Sequence, residues 1–294
     1  LRGEPRVWRR EERANAGRPA GEVLAEVAAL AAAAEAEATA LGLRVDGRIL
    51  AVPGVVPNEP GGLVERAPNL GWRGVRLADH WPDADTVPEP ENEANLGALA
   101  EYWNAGQPAE TFVHVSAGTG VGAALVIDGR LFRGARGFAG ELGHLPVHPD
   151  GPGCACGARG CLEQYAGEAA VLREAGLAQY GPGDAVALLA ERARAGHPPT
   201  LAALERAGSA LGLALTSAVD LIDPDGLVLG GAYADLADWL LPAVRAELAA
   251  RVTLRPWAPE ALRPSALGRR GPLLGAALTT VRRIMADPTL LPAG

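Results

Sequence analysis

The chain has three cysteines, Cys154, Cys156 and Cys161, and all of them fall in one short window. An odd number of thiols packed so closely suits a metal ion better than a disulfide framework, and it fits a reducing compartment. His144 lies ten residues before the first of them. One imidazole and three thiolates form the closed tetrahedral set that structural zinc takes, with no position left for a catalytic water. Glycines at 151, 153, 157 and 160 let the loop turn tightly enough for the sulfurs to converge. A loop rich in Gly and Pro is a poor place to bury thiols for packing alone, so His144, Cys154, Cys156 and Cys161 are expected to hold zinc. His148 is a spare imidazole, better read as an ordinary loop residue. His80, His114 and His197 lie too far along the chain to join the set.

Such a loop needs a scaffold. With 294 residues and 48% hydrophobic content, the chain can bury a real core in about two domain-sized units. A net charge of -8 and a pI near 5.3 oppose a nucleic-acid surface built from this chain alone. The Ala-rich stretch 21–41 carries Glu22, Glu26, Glu35 and Glu37, so it reads as an amphipathic helix and not as a membrane span. Residues 1–18 mix six arginines with Glu4, Glu11 and Glu12, unlike a signal peptide. A cytoplasmic protein without a membrane partner is expected.

Along the chain, 6–14 alternates loosely and suggests a strand ahead of the 21–41 helix, and 48–52 reads as a short buried strand. Asn92 is a good N-cap for a helix over 94–103. The runs 111–116 and 123–127 are β-rich, and Asp128-Gly129 signals a hairpin before 130–132. Helices are expected over 167–177, 183–195, 200–221, 233–250 and 274–286, with strands at 225–229 and 264–267. This alternation argues for an α/β architecture with covered sheets.

The segments Gly140-Glu141-Leu142-Gly143-His144 and Cys154-Ala155-Cys156-Gly157-Ala158-Arg159-Gly160-Cys161-Leu162-Glu163 resemble the signature segments of the ROK family of repressors, open reading frames and sugar kinases. The likeness extends in order through Ala51-Val52-Pro53-Gly54, Ala67-Pro68-Asn69-Leu70-Gly71-Trp72, Glu91-Asn92-Glu93-Ala94-Asn95, Gly118-Thr119-Gly120-Val121-Gly122 and Leu227-Val228-Leu229-Gly230-Gly231. It implies an actin-like, ribonuclease H-like fold of two α/β lobes with a sugar in the cleft. The first lobe would span 1–105 and the second 106–294, with the zinc loop at 144–161 and the helix 274–286 packing back on the first lobe. It also implies that Asn92, Glu93, Glu141, His144 and Glu163 surround the sugar, with His144 joining metal loop and ligand, and that the chain forms a homodimer or homotetramer. Carboxylates and an amide supply the paired acceptors and donors that vicinal hydroxyls need, and a metal-bound imidazole is held in one orientation.

Two branches of the family are possible. A kinase would use ATP and magnesium, with Glu93 as general base where the kinases carry an Asp. The longer side chain displaces the carboxylate, and a shift of about 1 Å costs on the order of a hundredfold in rate. The family's opening phosphate loop, Asp-x-Gly-x-Thr, has no match in 1–18, and phosphoryl transfer depends on such positioning. Gly118, Thr119 and Gly120, with Gly230 and Gly231, stand where nucleotide-side loops would be; a tight turn between strands is an equal reading. The segment 91–95 is similar to the xylose-type repressors of the family. The expectation is therefore a sugar-responsive transcriptional regulator, its effector-binding and oligomerisation portion, with DNA reached through an upstream winged-helix domain.

Overall fold

The computed structural model describes residues 5–104, 109–118, 120–180 and 184–290. Its larger sheet has five strands in the order β7-β6-β5-β8-β9: β5 (Phe112–Ala117), β6 (Val121–Ile127), β7 (Arg130–Phe132), β8 (Gly226–Gly231) and β9 (Leu262–Pro264). β6 runs antiparallel to β5 and β7, while β8 runs parallel to β5 and β9. Asp128 and Gly129 both take positive φ, 51° and 71°, which gives the tight β6–β7 hairpin its twist. Both faces of the sheet are covered, which is why β5 and β8 are apolar almost throughout. On one face Val113, Val115, Leu227 and Leu229 share a core with Leu211 and Leu215 of α6 (Pro198–Ile222) and Val244 of α8 (Ala237–Arg251). On the other, Phe112, Ala124, Val126 and Val228 meet Ala94 and Ala98 of α2 (Glu93–Asn104).

The remaining strands make two small sheets: β1 (Ile49–Val52) parallel to β4 (Glu89–Asn92), and the hairpin β2 (Leu63–Ala67) with β3 (Trp72–Arg76). Helix α1 (Ala20–Ala40) packs its first turns onto them through Val23 and Leu24, in a core with Val64, Trp72, Leu77 and Trp81. Among the described residues β1 pairs with β4 alone, and of its four apolar residues only Val52 is buried. No strand forms over 6–14. That segment is irregular and exposed, and its arginines instead reach carboxylates of α1, Arg9 to Glu37 at 2.9 Å and Arg13 to Glu26 at 3.0 Å.

The last helix, α9, spans Gly271–Ala286 and lies against α2 and β1. The approach is close because Gly275 faces the backbone of Leu96, where a Cβ would collide with the Leu96 carbonyl. The expected helix 233–250 is two, α7 (Ala232–Asp235) and α8, broken at Leu236, and β9 comes earlier than 264–267. Among the described residues three helices lie between the cysteine-bearing loop and α6: α3 (Glu163–Ala166), α4 (Glu168–Glu174) and α5 (Asp184–Arg194). No helix among the described residues is long and apolar enough to cross a membrane.

His114 of β5 is buried beneath α2, between Gly97, whose Cβ would lie 2.7 Å from Cε1, and Gly230 of β8. Among the described residues its Nδ1 has no hydrogen-bond partner. Nearby, the buried Glu101 accepts from Ser265 Oγ and from Arg263 Nη1, tying α2 to the end of the sheet. Burial first, and then the Arg263 cation, pushes the His114 imidazole down to about 4 from 6.5. The folded state therefore resists a proton that the unfolded chain accepts, and stability is lost as pH falls from about 6.5 towards 4. The expected loss is on the order of 3 kcal/mol in wild type. Urea unfolding at a series of pH values checks it: His114→Gln should flatten the slope in that window and leave the profile above it parallel to wild type.

Candidate functional site

The four expected metal ligands converge. Their ligand atoms all lie within 4.8 Å of one another, with His144 Nδ1 3.7 Å from Cys154 Sγ and Cys156 Sγ 3.8 Å from Cys161 Sγ. A tetrahedron with metal–sulfur bonds of about 2.3 Å has edges of about 3.8 Å, so the donor set fits one tetrahedral divalent ion. Local backbone geometry makes this possible. Cys154 N donates to Ala158 O at 2.8 Å and Gly157 turns with φ 98°, which folds the loop between the first two cysteines and Cys161 back on itself. Gly160, with φ 69°, leaves no room for a Cβ against the His148 carbonyl. His148 stays outside the cluster.

His144 ends a 3-10 turn, Leu142–His144, and presents its two nitrogens in opposite directions. Nδ1 faces the thiols, while Nε2 lies 3.8 Å from Glu141 Oε2 on the wall of a cavity of about 360 Å³. Glu93, Asn92 and Glu163 line the same cavity. Glu163 opens α3 and is buried; its Oε2 accepts from Val121 N at 3.0 Å and from Asn69 Nδ2 at 3.3 Å. Glu93 is the first residue of α2, and removal from water raises its carboxyl above the ordinary value. The Glu141 carboxyl is also raised, by desolvation first, with the Glu163 charge adding to the rise and His144 opposing it.

Asn92 caps α2: its Oδ1 accepts from Ala94 N at 2.8 Å and Asn95 N at 3.2 Å, and its Nδ2 donates to Gly54 O at 2.7 Å. One amide N–H is left for a ligand. Gly120 lies in the cavity wall, where a Cβ would overlap both Glu163 Oε2 and Asn69 Nδ2. The glycine there admits the carboxylate. Gly118 stands beside Glu93, whose Oε1 is 3.6 Å from where its Cβ would be, and Thr119 lies outside the described residues. Gly230 backs onto His114, and Gly231, with φ 56°, closes β8 against the Ala117 carbonyl; neither lines this cavity. Two residues that sequence reasoning gave no role join the site: Asn69, and Arg66 of β2, whose Nη2 donates to the Cys156 carbonyl at 2.6 Å. Asn69 sat inside a motif segment, which was the only signal for it.

A covered five-stranded sheet facing a smaller α/β lobe, with a polar cavity lined from both, defines an actin-like two-lobed fold of the sugar-kinase type. The ROK family profile matches residues 7–283, and the chain belongs to that family. It is 33% identical over 230 residues to the xylose repressor of Bacillus subtilis, covering 77% of this chain and 58% of that protein. It is 32% identical over 259 residues to a glucokinase of Streptomyces coelicolor, covering 80% of this chain and 81% of the kinase. The crystal structure of a ROK family glucokinase from Streptomyces griseus with glucose and AMPPNP matches with a TM-score of 0.75 at 29% identity, over 87% of this chain and 88% of that one. The chain spans about 60% of the length of the xylose repressors it matches.

Two measurements check this geometry. Purified protein is expected to carry one equivalent of a divalent metal by elemental analysis, and Cys161→Ser should lose it together with thermal stability; metal-free protein indifferent to a strong chelator contradicts the cluster. Gly120→Ala should cost about 1–3 kcal/mol in chemical denaturation, because Glu163 and Asn69 cannot both keep their places.

Proposed function

We propose that this chain is the effector-binding and oligomerisation portion of a sugar-responsive ROK-type transcriptional regulator, a homodimer or homotetramer that reaches DNA through a separate upstream domain. The observation that carries the reading is the convergence of Asn92, Glu141, His144 and Glu163 on one cavity of about 360 Å³, a size that suits a monosaccharide. Glu163 and Glu141 accept from ring hydroxyls, the remaining Asn92 N–H donates, and His144 Nε2 is aimed at the ligand. Zinc held by His144, Cys154, Cys156 and Cys161 fixes the imidazole in that orientation. The similarity to xylose repressors supports the regulatory branch.

The two walls of the cavity already touch, through Asn69 on Glu163 and Arg66 on the Cys156 carbonyl. A sugar that contacts both walls favours the closed arrangement by its differential affinity for the two states. That shift is what an attached DNA-binding domain would read.

The second reading is an ATP- and magnesium-dependent sugar kinase with Glu93 as general base. One observation favours it: the raised Glu93 carboxyl moves towards the range where a base works near neutral pH. Gly118, Gly120, Gly230 and Gly231 would then serve the nucleotide side. A coupled phosphorylation assay over a panel of sugars separates the two. The regulator shows no turnover and a sugar-dependent rise in melting temperature that Glu163→Gln abolishes; turnover at ordinary enzymatic rates that disappears in Glu93→Gln establishes the kinase.

A further inference from the structure

Cys156 belongs to two places at once. It stands in the Cys/His cluster, and it lines the cavity of about 360 Å³. Cys154 and Cys161 are buried, whereas Cys156 is only half-buried. Its Sγ lies 3.8 Å from Cys161 Sγ, while His144 Nδ1 faces Cys154 Sγ at 3.7 Å. The four donors thus fall into two pairs, and the pair of thiols contains the one that a small reagent reaches most easily.

The backbone leaves one member of that pair free to shift. Cys156 sits in the turn 154–157, closed by Gly157 N donating to Cys154 O at 2.9 Å, and a Cβ added at Gly153 or Gly157 would meet nothing within 4 Å. Cys161 is pinned instead, by its bridge to Pro146 and by Leu162 N donating to Leu145 O at 2.9 Å. A disulfide holds its sulfurs at about 2.05 Å, so a movement of about 1.8 Å by the turn, which borders open space, closes the gap. Arg66 tethers that turn from the other lobe through the Cys156 carbonyl, so its displacement also loosens a contact across the cavity. A thiol that coordinates a metal is deprotonated, and the thiolate is the nucleophile that oxidants meet.

We propose that Cys156 and Cys161 form a reversible thiol–disulfide pair through which a hydroperoxide opens the Cys/His cluster and dismantles the His144 wall of the cavity. The Cys156 thiolate attacks one peroxide oxygen, the O–O bond breaks, and the departing oxygen takes a proton, which leaves Cys156 as a sulfenic acid. The Cys161 thiolate then attacks that sulfur, the S–O bond breaks, and the hydroxide leaves with a proton as water. The two sulfurs together lose two electrons, which the peroxide gains. Only His144 and Cys154 remain as donors, too few for a closed tetrahedral set, and the imidazole is no longer fixed towards the ligand. The inference rests on the metal-holding and sugar-binding readings of the site and goes beyond them by making the pair a regulatory modification site.

Hydrogen peroxide added to the intact, zinc-loaded protein tests it. A chromogenic chelator reports metal release, alkylation with peptide mapping reports the thiols, and titration with xylose and glucose reports the cavity. A Cys156–Cys161 disulfide should form in step with metal release while Cys154 stays free, and sugar affinity should fall about tenfold or more and return with a dithiol reductant and zinc. A different pairing, oxidation to sulfinic acid without a disulfide, or a disulfide that leaves metal and sugar affinity intact overturns the inference. Protein that holds no metal before oxidation overturns the cluster and the switch together. Reduced, zinc-loaded protein that binds neither sugar counts against the sugar-binding reading alone, because the mapped disulfide and the released metal still decide the switch.

Discussion

The structure turns on how closely α2 is gripped between the five-stranded sheet and α9. Gly97 lets the helix settle on His114, and Gly275 lets α9 approach the Leu96 backbone; a side chain at either would push the layers apart. The grip matters because the N-terminus of α2 carries Asn92 and Glu93 to the cavity, and because α9 continues to β1 of the smaller lobe. Small residues at these contacts exchange side-chain burial for proximity, which leaves little slack between the layers. The buried Glu101 and Ser265, with the exposed Arg263, fasten the same helix to the end of the sheet, and separating them is costly because Glu101 and Ser265 would be left unpaired away from water.

Around that axis the cavity is assembled from short-range devices. A 3-10 turn aims His144, the turn-rich loop after it collects the thiols, and α3 starts at Glu163 with Leu162 as its cap, so the last cysteine of the cluster and the best-anchored carboxylate are two residues apart. Order in the Cys/His cluster is thus order at the cavity wall. Arg66 and Asn69 bring the smaller lobe to the same place. The site is therefore a seam, and anything bound in it is in contact with both halves of the molecule.

Much of this was legible from residue order. The helices declared themselves by their spacing, α2 also by its Asn92 cap, the β6–β7 hairpin by Asp128-Gly129, and the donor set by the types and spacing of four residues. The alternation read as a strand over 6–14 was misleading, since alternation names a strand only where a neighbour exists to bond it, and those arginines found α1 carboxylates instead. The break at Leu236 had no sequence signal stronger than the helical propensity on either side.

By itself the sequence determined the family, the α/β class and the Cys/His cluster, because each is written in short motifs of residues near one another along the chain. Only the tertiary structure decided that Gly120 makes room for Glu163, that Asn69 and Arg66 belong to the site, and that α2 rests on the larger sheet. Those partners are separated by dozens of residues, 94 between Asn69 and Glu163 and 90 between Arg66 and Cys156. Contacts at that range are set by how layers pack, and no local pattern of side chains encodes them.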